Sequence, residues 1–327
     1  MINLEQKVCG FYKIEAFKRD KSGNETSRRV VADWFPNLIT DIGLSHMFAN
    51  GYIYSYDSPR YSGILKHCMV GAGNTTPSTN DSVLDVQLAH TNTYMSHVAT
   101  TEKSSPYYRK YIIKYRFGEG VAEGNVAEVG VGWKVDATYY CFSRALILDT
   151  NGNPTVITVL NDEWLDITYE YRIYPKETDD TGTVVFSGDI GGTYDWIARL
   201  ANVVYWALNV NGYPQLSMGQ NSKNYYTYTY ASSADISNIS TQPTTNYNAK
   251  FMITQDMIQQ GLNSATHYYS LGLTQGNIPG GVRSFVVGVG SCWYQIQFDN
   301  QASPGTGIPK TDTDILTFKF KVSWGRV

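Results

Sequence analysis

Two stretches of strict apolar and polar alternation dominate the pattern of this chain. Leu165, Ile167, Tyr169, Tyr171 and Ile173 alternate with Asp166, Thr168, Glu170 and Arg172, and Pro175 then stops the run. Leu316, Phe318, Phe320, Val322 and Trp324 alternate with Thr317, Lys319, Lys321 and Ser323. Successive side chains leave a pleated backbone on opposite faces, so a period of two predicts a half-buried strand. Each stretch is expected to be an antiparallel strand with one face on a core and the other wet. Three shorter stretches read as helices. Asn37 is placed to cap a helix over residues 38–48, with Leu38, Ile42 and His46 on one side and Gly51 as a stop. Asp195 opens a second through Val204, where Trp196, Ile197, Leu200, Val203 and Val204 form an apolar stripe. A third is expected over residues 254–260, ended by Gly261.

The pattern also repeats. Val129-Gly-Val-Gly132 recurs as Val287-Gly-Val-Gly290, each followed within three residues by a tryptophan, Trp133 or Trp293. Upstream, residues 109–115 align with 267–273, and downstream each copy ends in one of the two alternating strands. A repeat of this length is the signature of a duplicated structural unit. The boundary falls after Pro175, in the polar stretch 176–182, which reads as a loop. Residues 149–154 sit as a turn between two apolar runs, and 75–81 and 301–314 read as loops. The expected fold is all-β: two tandem related β-sandwich domains, residues 1–175 and 176–327, each with a short packed helix.

Composition narrows the function classes. Hydrophobic residues make up 42% of the 327 and charged residues only 17%, enough for cores beneath an unusually neutral surface. The 26 tyrosines favour pleated strands over long helices. A net charge of -3, with Arg28-Arg29 as the longest basic cluster, argues against nucleic acid as a partner. The start of the chain does not read as a signal peptide, and there is no apolar run of about 18 residues. Synthesis in the cytoplasm without membrane insertion is expected. Cys9, Cys68, Cys141 and Cys292 form no C-x-x-C pair and are expected to be buried thiols, a disulfide staying open.

The search for chemistry yields no catalytic, metal or cofactor candidate. Glu119, Glu123 and Glu128 lie near one another, but a glycosidase needs two carboxylates at fixed separation across a cleft, and solvated loop acids are the expected state. His46, His67, His90, His97 and His267 form no metal-binding spacing. Neither Ser143 nor Ser291 sits in a nucleophile elbow. Gly71-Ala-Gly-Asn-Thr lacks the Gly-Lys-Ser/Thr ending of a phosphate loop and reads as a turn. The tyrosines remain. Tyr139, Tyr140, Tyr226, Tyr228 and Tyr230 are candidates for subunit contact or for stacking on sugar rings.

Five blocks in order carry a resemblance: 37–44 (NLITDIGL), 70–77 (VGAGNTTP), 124–132 (GNVAEVGVG), 142–149 (FSRALILD) and 157–171 (ITVLNDEWLDITYEY). Together they resemble a group of tail-structural proteins of tailed bacteriophages, over residues 30–175. The resemblance implies a non-enzymatic virion component of tail, neck or baseplate, in multiple copies and bound to other virion proteins, and supplies no catalytic residue. The second half departs from it, since 124–128 corresponds to Val282-Arg-Ser-Phe-Val286. Two rivals are a receptor-binding fibre module gripping host surface glycan through tyrosines, and a polysaccharide depolymerase. The repetitive shaft of a long fibre and the long β-helix of a depolymerase are both missing from the sequence pattern.

Overall fold

The computed structural model describes residues 1–49, 63–188, 190–202, 225–239, 249–289 and 292–327, with side chains except at 48–49, 202, 225–229, 249–257 and 289. The first half comprises β1 (Ile2–Arg19), β2 (Glu25–Pro36), β3 (Leu38–Ile39), α1 (Asp41–Ala49), β4 (His67–Gly71), β5 (Gln87–Thr91), β6 (Tyr94–Glu102), β7 (Tyr108–Phe117), β8 (Gly124–Val126), β9 (Glu128–Val135), β10 (Thr138–Leu146), β11 (Ile157–Val159) and β12 (Trp164–Pro175). One layer holds β2, β1, β12, β7 and β6; a second, five-stranded sheet runs β3-β10-β9-β4-β5; β11 and β8 form a separate pair.

The chain crosses between the layers twice without a long loop. At Asn37, β2 passes into β3 and so from pairing with β1 to pairing with β10. At residues 92–93, β5 passes into β6 and so from β4 to β7. The two layers of the first half are therefore joined into one circuit, by ladders within each layer and by the chain itself at these two corners, where β5 and β6 remain sheet edges. Tyr12, Ile14, Ile167 and Tyr169 of one layer share a core with Val129, Val131 and Phe142 of the other. Polar groups inside it are bonded, as burial demands: the Tyr12 hydroxyl meets Ser143 Oγ at 2.8 Å, and the Tyr115 hydroxyl donates to the Leu65 carbonyl.

The helix starts three residues later than its sequence suggests. Leu38 and Ile39 are taken by the ladder with β10, so Thr40 rather than Asn37 becomes the cap. Its hydroxyl oxygen accepts from the Gly43 N–H at 2.9 Å and donates to the Cys141 carbonyl at 2.7 Å. Asn37 instead donates to Ser143 Oγ at 3.0 Å across the layer junction. Gly43 is required where α1 crosses the irregularity in β10, because a Cβ there would lie 2.3 Å from the Phe142 carbonyl oxygen.

The second half comprises β13 (Asp180–Phe186), β14 (Gly192–Asn202), β15 (Tyr225–Ser232), β16 (Ala249–Gln259), β17 (Ser264–Leu271), β18 (Ser284–Val289), β19 (Cys292–Asn300) and β20 (Leu316–Arg326). Two expected helices are strands. Residues 195–202 lie in β14, where Tyr194, Trp196, Ala198 and Leu200 are buried and ladders run to β13 and β19 on both edges. Trp196 and Leu200 fit both a helical stripe and a strand face, and pairing on two edges decides for the strand. Residues 254–259 lie in β16, flanked by β15 and β17. One helix of the described residues thus replaces the expected helix in each half.

The sheets also differ from two separate sandwiches. The order β13-β14-β19-β18-β15-β16-β17-β20 continues into β1-β12-β7-β6, a single 13-stranded sheet through both halves, with β2 as a branch on β1. The proposed boundary at Pro175 thus falls at the end of a strand inside this sheet, and the expected linker already belongs to β13 from Asp180. Both Val-Gly-Val stretches occupy the first strand of a hairpin, β9 before β10 and β18 before β19. The tryptophans do not correspond: Trp133 precedes its hairpin turn on β9, and Trp293 follows it on β19.

The two alternating strands bury the faces that their patterns assign. Leu165, Ile167, Tyr169, Tyr171 and Ile173 are buried on β12, and Leu316, Phe318, Phe320, Val322 and Trp324 on β20. Lys319 and Lys321 are exposed. On β12 the polar face is not wet, since Asp166 and Glu170 are also buried.

Candidate functional site

The candidate tyrosines fall into separate places. Tyr139 and Tyr140 are neighbours on β10 and so leave it on opposite faces. Tyr140 stacks on Trp133 with centroids 5.8 Å apart, and Trp133 stacks on His46 at 3.8 Å. Tyr139 lies on the other face, its hydroxyl 2.6 Å from His90 Nε2, its ring edge-on to His67 and the Lys134 ammonium 5.0 Å from its centroid. Tyr230, on β15, packs against Trp293 at 5.6 Å. All three are half-buried. Tyr226 and Tyr228 lie on β15 opposite Thr254 and Met252, and their side chains are outside the described residues. Among the described residues no ring contact joins Tyr139 or Tyr140 to Tyr230.

The acids expected to be solvated include one at the centre of a buried tie. Glu128 opens β9 with its side chain fully buried. One carboxylate oxygen accepts from the N–H groups of Gly73 at 3.1 Å and Val86 at 2.7 Å. The other accepts from the Asp85 N–H at 3.1 Å and Arg144 Nε at 2.8 Å. The Arg144 fork continues to Asp81 at 2.6 Å and to the carbonyl and hydroxyl of Thr75 at 3.1 Å. A Cβ at Gly71 or Gly73 would lie 2.4 or 2.5 Å from the Glu128 carboxylate oxygen. Three of the sequence blocks thus meet here: the Gly-Ala-Gly run as the seat, Glu128 as the acceptor and Arg144 as the clamp on loop 72–86. The pairing was not legible in sequence, because the three residues are far apart along the chain and nothing local links them.

A second network covers the outer face of β12. Asp166 receives Arg116 Nε at 2.7 Å and Nη2 at 2.8 Å, with Arg28 at 3.0 Å and Lys114 at 3.3 Å. Burial raises the Asp166 carboxyl, but Arg116, Lys114 and Arg28 outweigh it and hold the group below the ordinary carboxylate range. The Phe17 ring lies under the Arg28 and Arg116 guanidiniums at 4.2 and 4.7 Å. Arg29 pairs with the buried Glu163. These charges are consumed in mutual pairing, which accounts for Asp166 being buried on a face that its sequence reads as wet.

The reactive side chains are poorly placed for chemistry. Ser143 is buried between Tyr12, Asn37 and Tyr169. All four cysteines are free, and burial pushes the Cys9, Cys68, Cys141 and Cys292 thiols up, away from the nucleophilic thiolate. Burial, helped by Lys66, His90 and Lys134, pushes His67 down to about 4. Among the described residues no group of three His, Cys, Asp or Glu side chains could hold a metal ion, and no helix is long and apolar enough to cross a membrane. Ser291 lies outside the described residues. No family model, curated protein or solved structure matches the chain.

Proposed function

We propose that the chain is a non-enzymatic structural component of a tailed-phage particle, working in several copies bound to other virion proteins of the tail, neck or baseplate. The observation that carries the assembly reading is β6. This nine-residue strand ends the large sheet, pairs among the described residues only with β7, and has side chains exposed on both faces. Met95 and Val98 are 50% and 51% exposed, and Glu102 is its sole formal charge. Natural edge strands are usually defended by lysines, prolines or cover, since unpaired N–H and C=O groups template a further strand. A long edge with a single charge at its end and apolar tips suits a permanent neighbour. The phage part rests on the five ordered sequence blocks. Their glycines, Glu128 and Arg144 act here as scaffold, which fits a role in which shape is the product.

Mass spectrometry of washed particles should find the chain at several copies per virion. In solution the chain should form oligomers by light scattering, and Val98→Lys should shift them towards monomer. A stable interface of this kind needs roughly 1,200 Å² or more of buried surface. Absence from washed particles, together with release of reducing sugar from host polysaccharide by the purified protein, would replace this reading with the enzymatic one.

A further inference from the structure

Two loops of the second half meet at a buried lysine. Residues 272–283 connect β17 to β18, and residues 301–315 connect β19 to β20. A bridge pins the loops together, the Val282 N–H donating to the Ile308 carbonyl at 2.8 Å and the Ile308 N–H to the Val282 carbonyl at 3.0 Å. Two residues beyond that bridge, Lys310 is 5% exposed. Its stem passes Gly276, which turns the first loop with a φ of 70° and where a Cβ would lie 2.8 Å from Leu271 Cδ1 and 3.7 Å from Lys310 Cδ. Among the described residues the Lys310 amine has two partners, both neutral oxygens: Asn277 Oδ1 at 2.8 Å and the Thr311 carbonyl at 3.2 Å. The Asn277 amide is itself held, its Nδ2 donating to the Leu273 carbonyl at 2.8 Å. With Nζ 2.8 Å from Oδ1 and a C=O bond of about 1.2 Å, Nζ lies roughly 3–4 Å from Cγ, close to the separation of a near-attack pair.

We propose that Lys310 Nζ and Asn277 Cγ join in an intramolecular isopeptide bond, a covalent tie between the two loops formed with release of ammonia. Burial pushes the Lys310 amine below its ordinary value, against the opposing charges of Asp314 and Asp312, and so raises the share of free amine, the form that attacks a carbonyl. The amine adds to Cγ as the C=O π pair moves to Oδ1. The pair then returns, the Cγ–Nδ2 bond breaks, and a proton from Nζ passes to Nδ2, which leaves as ammonia. The further proton that Lys310 carries as an ammonium goes to the departing ammonia, so an ammonium and a primary amide become a secondary amide and an ammonium ion. No oxidant or activated co-reactant enters the balance. Asp314 and Asp312, whose charges act on the amine, are the carboxylates suited to relay the proton. Asn277 is exposed, which lets the ammonia depart into water. The product also removes a cost, because a buried ammonium with only neutral partners is unfavourable and the amide that replaces it carries no charge. Its N–H keeps the Thr311 carbonyl as an acceptor. The link would give the second half a fixed cross-connection of the kind that Glu128 and Arg144 supply in the first.

The proposal stands apart from the phage reading and is tested on the full chain by mass spectrometry. The intact mass of the purified protein should fall below the mass of its sequence by one ammonia, and proteolysis should release a branched peptide joining Asn277 to Lys310. Lys310→Arg, which keeps the charge, and Asn277→Ala should each carry the full mass of their sequences. In reducing, denaturing electrophoresis the unsubstituted chain should run ahead of both variants, because the link survives unfolding. An intact mass equal to that of the sequence would overturn the proposal, and this result does not depend on whether the variants fold. So would an ammonia loss that persists in Lys310→Arg, which would assign it to an asparagine cyclising onto its own backbone, or a branched peptide that runs through another lysine.

Discussion

The two halves of this chain use related strand orders to opposite ends. In the first, every strand has a bonded neighbour and the circuit from β1 through β10, β4 and β7 returns to β1 by way of β12. In the second, the order from β13 to β20 does not close among the described residues, where β20 pairs with β1 instead of β13. One 18-residue strand thus serves both: its end part lines the first circuit and its first seven paired residues seal most of the gap in the second. The halves differ in their polar ties as well. The first is locked by Glu128 and Arg144, whose side chains are almost fully buried, while Arg283 of the second pairs with the exposed Asp235 and the half-buried Asp299. A circuit completed at its corners by the chain itself can hold buried charge in fixed geometry while leaving β6 as a sheet edge, and the second half has no such corner joining β13 to β20 among the described residues.

The largest expected effect comes from removing residues 1–6. Burial of Ile2 and Leu4 alone stabilises by about 3–6 kcal/mol, so calorimetry should show the second half melting separately and first. A single transition at the original temperature would mean that β1 does not seal the second half.

Next in size is Arg144→Met, which strands the Glu128 carboxylate and should cost about 3–5 kcal/mol in urea unfolding. Adding Glu128→Leu should restore part of the loss, since a buried pair replaced by apolar groups is often neutral. If the double variant is worse than the single by the full cost of a second buried cavity, the tie is not a coupled pair.

Acid should also separate the halves. Burial holds His46 and His67 of the first half down to about 4, against about 6.5 unfolded. The unfolded chain then takes up protons first, so stability is full above pH 6.5 and falls from there towards pH 4, by up to about 1.4 kcal/mol per pH unit for each histidine. In the second half the Gly305 N–H and Arg283 hold Asp299 down, and Thr311 holds Asp314 down. Carboxylates held low keep their contribution until the pH falls below the ordinary carboxylate range. Thermal melts from pH 7 to 4 should therefore weaken the first half sooner, and His67→Gln should flatten that dependence.

How much of this was legible in sequence depends on the range of the interaction. The alternation in β12 and β20 is local, and it identified the buried faces residue by residue. The turn at 149–153 was legible for the same reason, Asp149 accepting from the N–H groups of Asn151 and Asn153. The helix expected at 195–204 failed because Trp196 and Leu200 satisfy both periods, and only pairing with β13 and β19 separates them. Glu128 looked like a loop acid because its partners lie 16 to 55 residues away in sequence. Tyr226, Tyr228 and Tyr230 alternate and so share one strand face, but alternation does not say which neighbouring strands or layer that face meets.

The smallest expected effect is Arg283→Ala, about 1 kcal/mol, because Asp235 is exposed and Asp299 half-buried, so solvent screens both pairs. A loss as large as that of Arg144→Met would mean that the second half is tied as tightly as the first.

The contrast between a closed and an open half is tested most directly by residue-resolved hydrogen exchange on the unmodified chain. Amides of β7 and β12 should exchange only near global unfolding, while those of β13 and of residues 316–319 should exchange through local opening at much lower free energy. Protection of β13 equal to that of β12 would contradict the open edge and with it the asymmetry on which this account depends.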